Sequence, residues 1–183
     1  MFGGAVRGNL VFGGPTTAPH EPRRFPVERR PSVTHVPTRG GRRLRIGRYD
    51  FTIKTGRADG AGHAVVEVTV PAGAGNFLHR HPCEETMYVL AGDFELFGDD
   101  GDERRRAGPG AVMHVPANAA HGFVNVGDTD GRLLVVAPVA QEALFEDLAG
   151  AMADASSDAR VAAVFAHHRV QDLVRPTLDR SRS

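Results

Sequence analysis

Four residues in two short segments have the types and spacing to hold a metal ion. His79 and His81 stand two apart in GAGNFLHRHPCEETMYVLAG, and in an extended strand residues i and i+2 project to the same side, so both imidazoles can reach one point. Glu85 follows a short turn later, at the start of the next strand, where its carboxylate can complete the set. Further on, in GAVMHVPANAAHGFVNVG, His121 follows Pro116 and a turn and brings a third imidazole to the head of another strand. Three neutral imidazoles and one carboxylate suit a single divalent transition metal (Fe, Mn, Ni, Cu or Zn) and leave one or two positions for water, dioxygen or substrate.

The elements that must position these residues read as short strands. Leu44 to Ile46, Tyr49 to Thr55 and Ala64 to Val70 come first, followed by Thr86 to Leu90, Phe94 to Phe97, Glu103 to Arg106, Val112 to Val115, Gly122 to Val126 and Leu133 to Val136. Alternation and β-branched enrichment carry these readings, and Gly, Pro and Asp clusters between the runs mark turns. Strands at such spacing, with no helical pattern between them, indicate an all-β sandwich or barrel. After Pro138 the period changes. Leu144, Phe145, Leu148 and Met152 share one helical face, and a second helix is expected from near Asp158. Two helices after a β domain are expected to pack on its outside or against a partner subunit.

The chain has 183 residues, room for one domain with appendages. Residues 1–43 are rich in Pro, Gly and Arg, with eight Arg against two acids, and read as a flexible basic tail. Part of it need not be translated if the true start codon lies downstream. Residues 44–138 form the expected barrel and 139–183 a helical appendage. The zero net charge is therefore a sum of unlike parts, about +6 in the tail and −6 in the remainder. An acidic barrel argues against nucleic acid as a partner, since phosphate neutralisation calls for a basic excess. No apolar run approaches the roughly 20 residues needed to cross a bilayer, so no membrane partner is expected. The one cysteine, Cys83, can form no internal disulfide, and the first thirty residues lack the apolar core of a secretory signal, so the expectation is cytoplasmic.

The two segments resemble the motifs of the cupin superfamily. The first motif runs Gly73, His79, His81, Glu85 and Gly92 (73–92), and the second runs Gly110, Pro116, Asn118, His121 and Asn125 (110–125), each at the family's spacing. Asn118 stands where the family usually has Gly, and Asn tolerates positive φ better than most residues, so the turn is expected to survive. Ala111 replaces a frequent Asp. The resemblance implies a cupin jelly-roll β-barrel with the metal inside, held by His79, His81, Glu85 and His121, and commonly a homodimer. Within the superfamily the first motif and the C-terminal helices look like the small single-domain cupins of the quercetin 2,3-dioxygenase-like group. That likeness implies a metal-dependent dioxygenase acting on a small aromatic or enolisable molecule, with Glu85 as general base. Two other functions remain: a redox-neutral isomerase, cyclase or lyase using the metal as Lewis acid, and a non-catalytic small-molecule-binding barrel.

Alternation from Glu85 and His121 turns Met87 and Phe123 to the same interior, Phe77 lies two before His79, and His114 precedes Pro116 by two; these four are the expected substrate contacts. Cys83 reads as a turn residue. His167 and His168, adjacent on the last helix, read as surface or packing residues because helical spacing separates them, and Arg104, Arg105 and Arg106 read as a solvated hairpin edge.

Overall fold

A computed structural model describes residues 32–98, 104–153 and 158–173. Its strands are β1 (Arg42–Ile46), β2 (Tyr49–Thr55), β3 (His63–Val70), β4 (His79–Arg80), β5 (Glu85–Ala91), β6 (Phe94–Gly98), β7 (Arg104–Ala107), β8 (Val112–Val115), β9 (His121–Asn125), β10 (Gly131–Pro138) and β11 (Gln171–Asp172). The helices are α1 (Val139–Met152) and α2 (Asp158–His168). Two antiparallel sheets face each other, one in the order β1-β2-β3-β10-β5-β8 and the other β11-β4-β9-β6-β7. This is the mostly-β jelly roll with C-terminal helices that the sequence leads one to expect.

Period-two alternation decides which face is inside. In β3, Ala64, Val66, Val68 and Val70 are buried, and in the paired β10, Leu133, Val135 and Ala137 are buried opposite them. Phe94, Leu96 and Phe123 from the second sheet complete the core. Fully covered side chains such as Phe94 and Leu133 contribute about 1.5–3 kcal/mol each by leaving water. Buried Asn125 donates to Val70 O and Thr129 O and accepts from Gly127 N, so it closes the β9–β10 turn with no polar group left over.

Two details depart from the sequence reading, and a third agrees with one of its alternatives. Arg42 and Arg43, assigned to the basic tail, are the first residues of β1 and pair with Ile53 and Thr52. β4 and β11 have two residues each and show no periodic signal. The helix after Pro138 packs on the chain's own barrel, where Phe145 meets Phe51 with ring centroids 5.0 Å apart. Glu103 and the greater part of the tail, residues 1–31, lie outside the described residues. No helix among those described is long and apolar enough to cross a membrane.

Candidate metal centre

His79 and His121 lie in the second sheet, and His81 directly follows the end of β4. His79 on β4 pairs directly across from His121 on β9, and directly opposed residues of an antiparallel pair share a face. His81 lies two residues beyond His79 on that same side. Glu85 opens β5 in the other sheet, so the group lies between the two layers. Ring centroids are 4.3 Å apart for His79 and His121, 4.9 Å for His81 and His121 and 5.5 Å for His79 and His81. One ligand nitrogen from each lies within 4.8 Å of the others. Glu85 reaches to 3.0 Å of His121 Nε2 and 3.9 Å of His81 Nε2.

Local backbone fixes the ring orientation. Nδ1 of His79 donates to Phe77 O at 2.9 Å, Nδ1 of His81 to Cys83 O at 2.9 Å, and Nδ1 of His121 to Ala119 O at 3.0 Å. Each carbonyl belongs to a residue two positions from its histidine, and the hydrogen bond leaves Nε2 as the donor atom for an ion. Two turns hold this geometry. Asn118 adopts φ of 65° and its N–H donates to His81 O at 2.8 Å, so asparagine keeps the turn where the cupin motif usually has glycine. Gly75 lies where any Cβ would overlap Phe123 O, which lets the β4 segment approach β9.

Burial pushes the His79 imidazole down to about 4, with His121 and His81 adding to the effect, and it lowers His81 as well. Both are neutral near pH 7, as ligation requires. His121 behaves differently: burial opposes its charge, but the Glu85 carboxylate beside it prevails and raises it. For Glu85, burial alone would raise the carboxyl, and His121 first, then His81 and His79, overcome that and lower it. His121 Nε2 lies 3.0 Å from Glu85 Oε1, but with Nδ1 donating to Ala119 O the neutral ring turns a lone pair, not an N–H, toward the carboxylate, so this buried nitrogen has no hydrogen-bond partner. An unsatisfied nitrogen aimed at two other imidazoles and a carboxylate fits a divalent ion.

The expected substrate contacts are dispersed. Met87 is packed in the core, and Phe123 is buried with its ring edge toward Phe94. Phe77 is 38% exposed and lies between His79 and Phe165. His114 is exposed and bonds Thr86 on the outward face of β5 and β8. A cavity of about 490 Å³ opens where β7 and β8 part, with His121 in its wall beside Leu96, Met113, Val115 and Ala119. Its volume suits a small-molecule ligand. His114 borders it; Phe77, Met87 and Phe123 do not. Burial raises the Cys83 thiol above its ordinary value, so it is not a ready thiolate. His167 and His168 do converge, with Asp147, in one group of possible ligands, contrary to the separation expected along a helix; His168 Nε2 lies 2.7 Å from Asp147 Oδ2.

One residue absent from the sequence reading reaches the centre. Gln141, buried in the first turn of α1, places its amide nitrogen 3.3 Å from His81 Nε2. The signal was present in the pattern: Gln141 precedes Leu144, Phe145 and Leu148 by three, four and seven positions, so a polar side chain sits on the apolar stripe.

Residues 66–137 match the family described as Cupin domain. Over 57 residues the chain is 42% identical to Protein SchB of Streptomyces halstedii, a match covering 31% of this chain and 40% of that protein, less than half its length. The polyketide cyclase RemF of Streptomyces resistomycificus is similar in structure, with TM-score 0.53 and 27% identity over 59% of this chain and 80% of that one. An RmlC-like cupin of Shewanella frigidimarina is similar in fold, with TM-score 0.50 and 22% identity over 61% of this chain and 96% of the other. The match runs from within β3 to within β10, and the two-sheet barrel is the fold that these structural neighbours share.

Proposed function

We propose that the chain is a metal-dependent, redox-neutral cyclase acting on an enolisable, polyketide-like molecule. The choice of reaction is carried by its likeness to the polyketide cyclase RemF, which extends over 80% of that protein. The centre supports this reading, because His79, His81 and His121 are oriented as nitrogen donors and Glu85 is held as a carboxylate beside them.

A bound divalent ion would supply Lewis acidity, making the carbon between two carbonyls more acidic. Glu85 then takes the proton from that carbon. The walls of the cavity, Leu96, Met113 and Val115, hold the chain so that this carbon meets a second carbonyl carbon. One carbon–carbon bond forms, the oxygen of the second carbonyl takes the proton back from Glu85 to become a hydroxyl, and that hydroxyl leaves with the remaining hydrogen of the attacking carbon as water, giving a carbon–carbon double bond in the ring with no oxidant consumed.

The test is product formation from a short poly-β-ketone under nitrogen. Cyclised product with loss of one water per ring supports the proposal; no turnover without oxygen contradicts it. The dioxygenase reading is favoured by the donor set itself, three imidazoles and a carboxylate with positions left over. It predicts stoichiometric oxygen uptake with flavonol-type substrates, which a cyclase does not show.

A further inference from the structure

We infer that Gln141 is a further residue of the metal centre, reaching it from helix α1, and that its amide reverses when the ion is loaded. This inference rests on the reading of His79, His81, Glu85 and His121 as a metal site. Because His81 Nδ1 donates to Cys83 O, its Nε2 is a lone pair, and the group facing it at 3.3 Å must be the Gln141 NH2. An ion bound at that nitrogen needs the same lone pair. The two cannot share it, and a half-turn of the amide about its last torsion replaces the donor with the Oε1 acceptor. An amide oxygen is an ordinary donor to a divalent ion and an acceptor for a water bound to one.

The position of Gln141 is built rather than incidental. Its neighbour Glu142 is 2% exposed and accepts from Arg42 Nη2 at 2.8 Å and from the Arg57 backbone N–H at 2.8 Å. Gly56 leaves the room for that carboxylate, since a Cβ there would overlap it. β10 ends at Pro138 and α1 begins at the next residue, so little slack separates the sheet from the first helical turn. These contacts hold the first turn of α1 in place, with Gln141 beside His81. Gln141 itself is 4% exposed, and His81 Nε2 is the polar partner found for its amide nitrogen.

The test titrates the metal-stripped full chain with Co(II), following affinity by competition with a chromophoric chelator and coordination by the visible absorption of the ion. Gln141→Leu is expected to weaken Co(II) by about 10-fold or more, the scale of lost supporting contacts at metal sites, and to change the visible spectrum. Gln141→Glu, which puts a charged oxygen in place of the amide, is expected to bind at least as tightly as the native chain. Should Gln141→Leu fail to fold by circular dichroism, Gln141→Asn withdraws the amide by one methylene and takes its place with the same two readouts. Native affinity together with a native spectrum in the folded variant overturns the inference, and so does a Gln141→Glu chain that binds no better than Gln141→Leu. If the native chain binds no Co(II), the metal site and the inference fall together; if only the variants match the native chain, the site stands and Gln141 is packing.

Discussion

Glu85 of the first sheet and His121 of the second face each other across the barrel, with Oε1 and Nε2 3.0 Å apart. The pair joins the layers at the point where the other two histidines converge. It also sets opposite protonation tendencies: His121 is favoured as a cation and Glu85 as an anion. Removing the anion leaves a buried imidazole without its counter-charge. Glu85→Gln is therefore expected to lower the His121 pKa, measurable by NMR titration of the ring protons in the metal-free chain, and to abolish cyclisation. An unchanged His121 titration would show that the carboxylate does not act on it.

The pH dependence of the metal-free chain follows from His79. Its folded pKa of about 4 lies below the unfolded value of 6.5, so the unfolded chain takes the proton first as pH falls. The stability that His79 contributes is complete above 6.5 and is lost between 6.5 and about 4, by about 3 kcal/mol for this group. His81, also lowered, acts in the same direction. His121, raised, contributes stability present below 6.5 and lost as pH rises through its folded pKa, so it does not compensate the acid loss. Denaturant unfolding at several pH values checks this, with the midpoint falling between pH 6.5 and 4.

Asn118 tests the second turn. With φ at 65°, glycine relieves backbone strain and a β-branched residue adds to it. Asn118→Gly is expected to keep stability within about 0.5 kcal/mol, and Asn118→Val to lose about 1–2 kcal/mol. Thermal unfolding separates the two. Metal affinity should fall with the valine variant as well, because a shift of the strained turn moves the backbone N–H that holds His81 O.

Gly56→Ala tests the anchoring of α1. The backbone there is extended and accepts any residue, so the cost arises from the Glu142 carboxylate that the new methyl would overlap. That carboxylate is fixed by Arg42 and Arg57 N and cannot swing freely. A destabilisation of about 1–3 kcal/mol is expected from displacing a buried hydrogen-bonded carboxylate, together with weaker metal binding if Gln141 moves with the helix.

Most of the barrel was legible because period-two burial repeats over four to eight residues in β3, β5 and β10. The candidate ligand set was legible because His79 and His81 stand two apart and Glu85 opens the next long strand. What the sequence could not show is chiefly a matter of range. β4 and β11 are too short for a period, and Gln141 acts across 60 residues of chain. The face of His114 was not legible for a different reason: its register with Thr86 turns it outward, at the border of the cavity, while Val115, one residue on, faces Glu85. A one-residue choice of face cannot be made from an alternating segment without knowing which of its sides is covered.

The proposed chemistry requires one metal ion held by His79, His81, Glu85 and His121. Equilibrium dialysis of the full chain against Zn(II) or Mn(II), followed by elemental analysis, tests it most directly. One ion per native chain is expected, with none retained by a folded His79→Ala/His121→Ala chain. A native chain that retains no ion, or a double variant that retains as much, would contradict the claim.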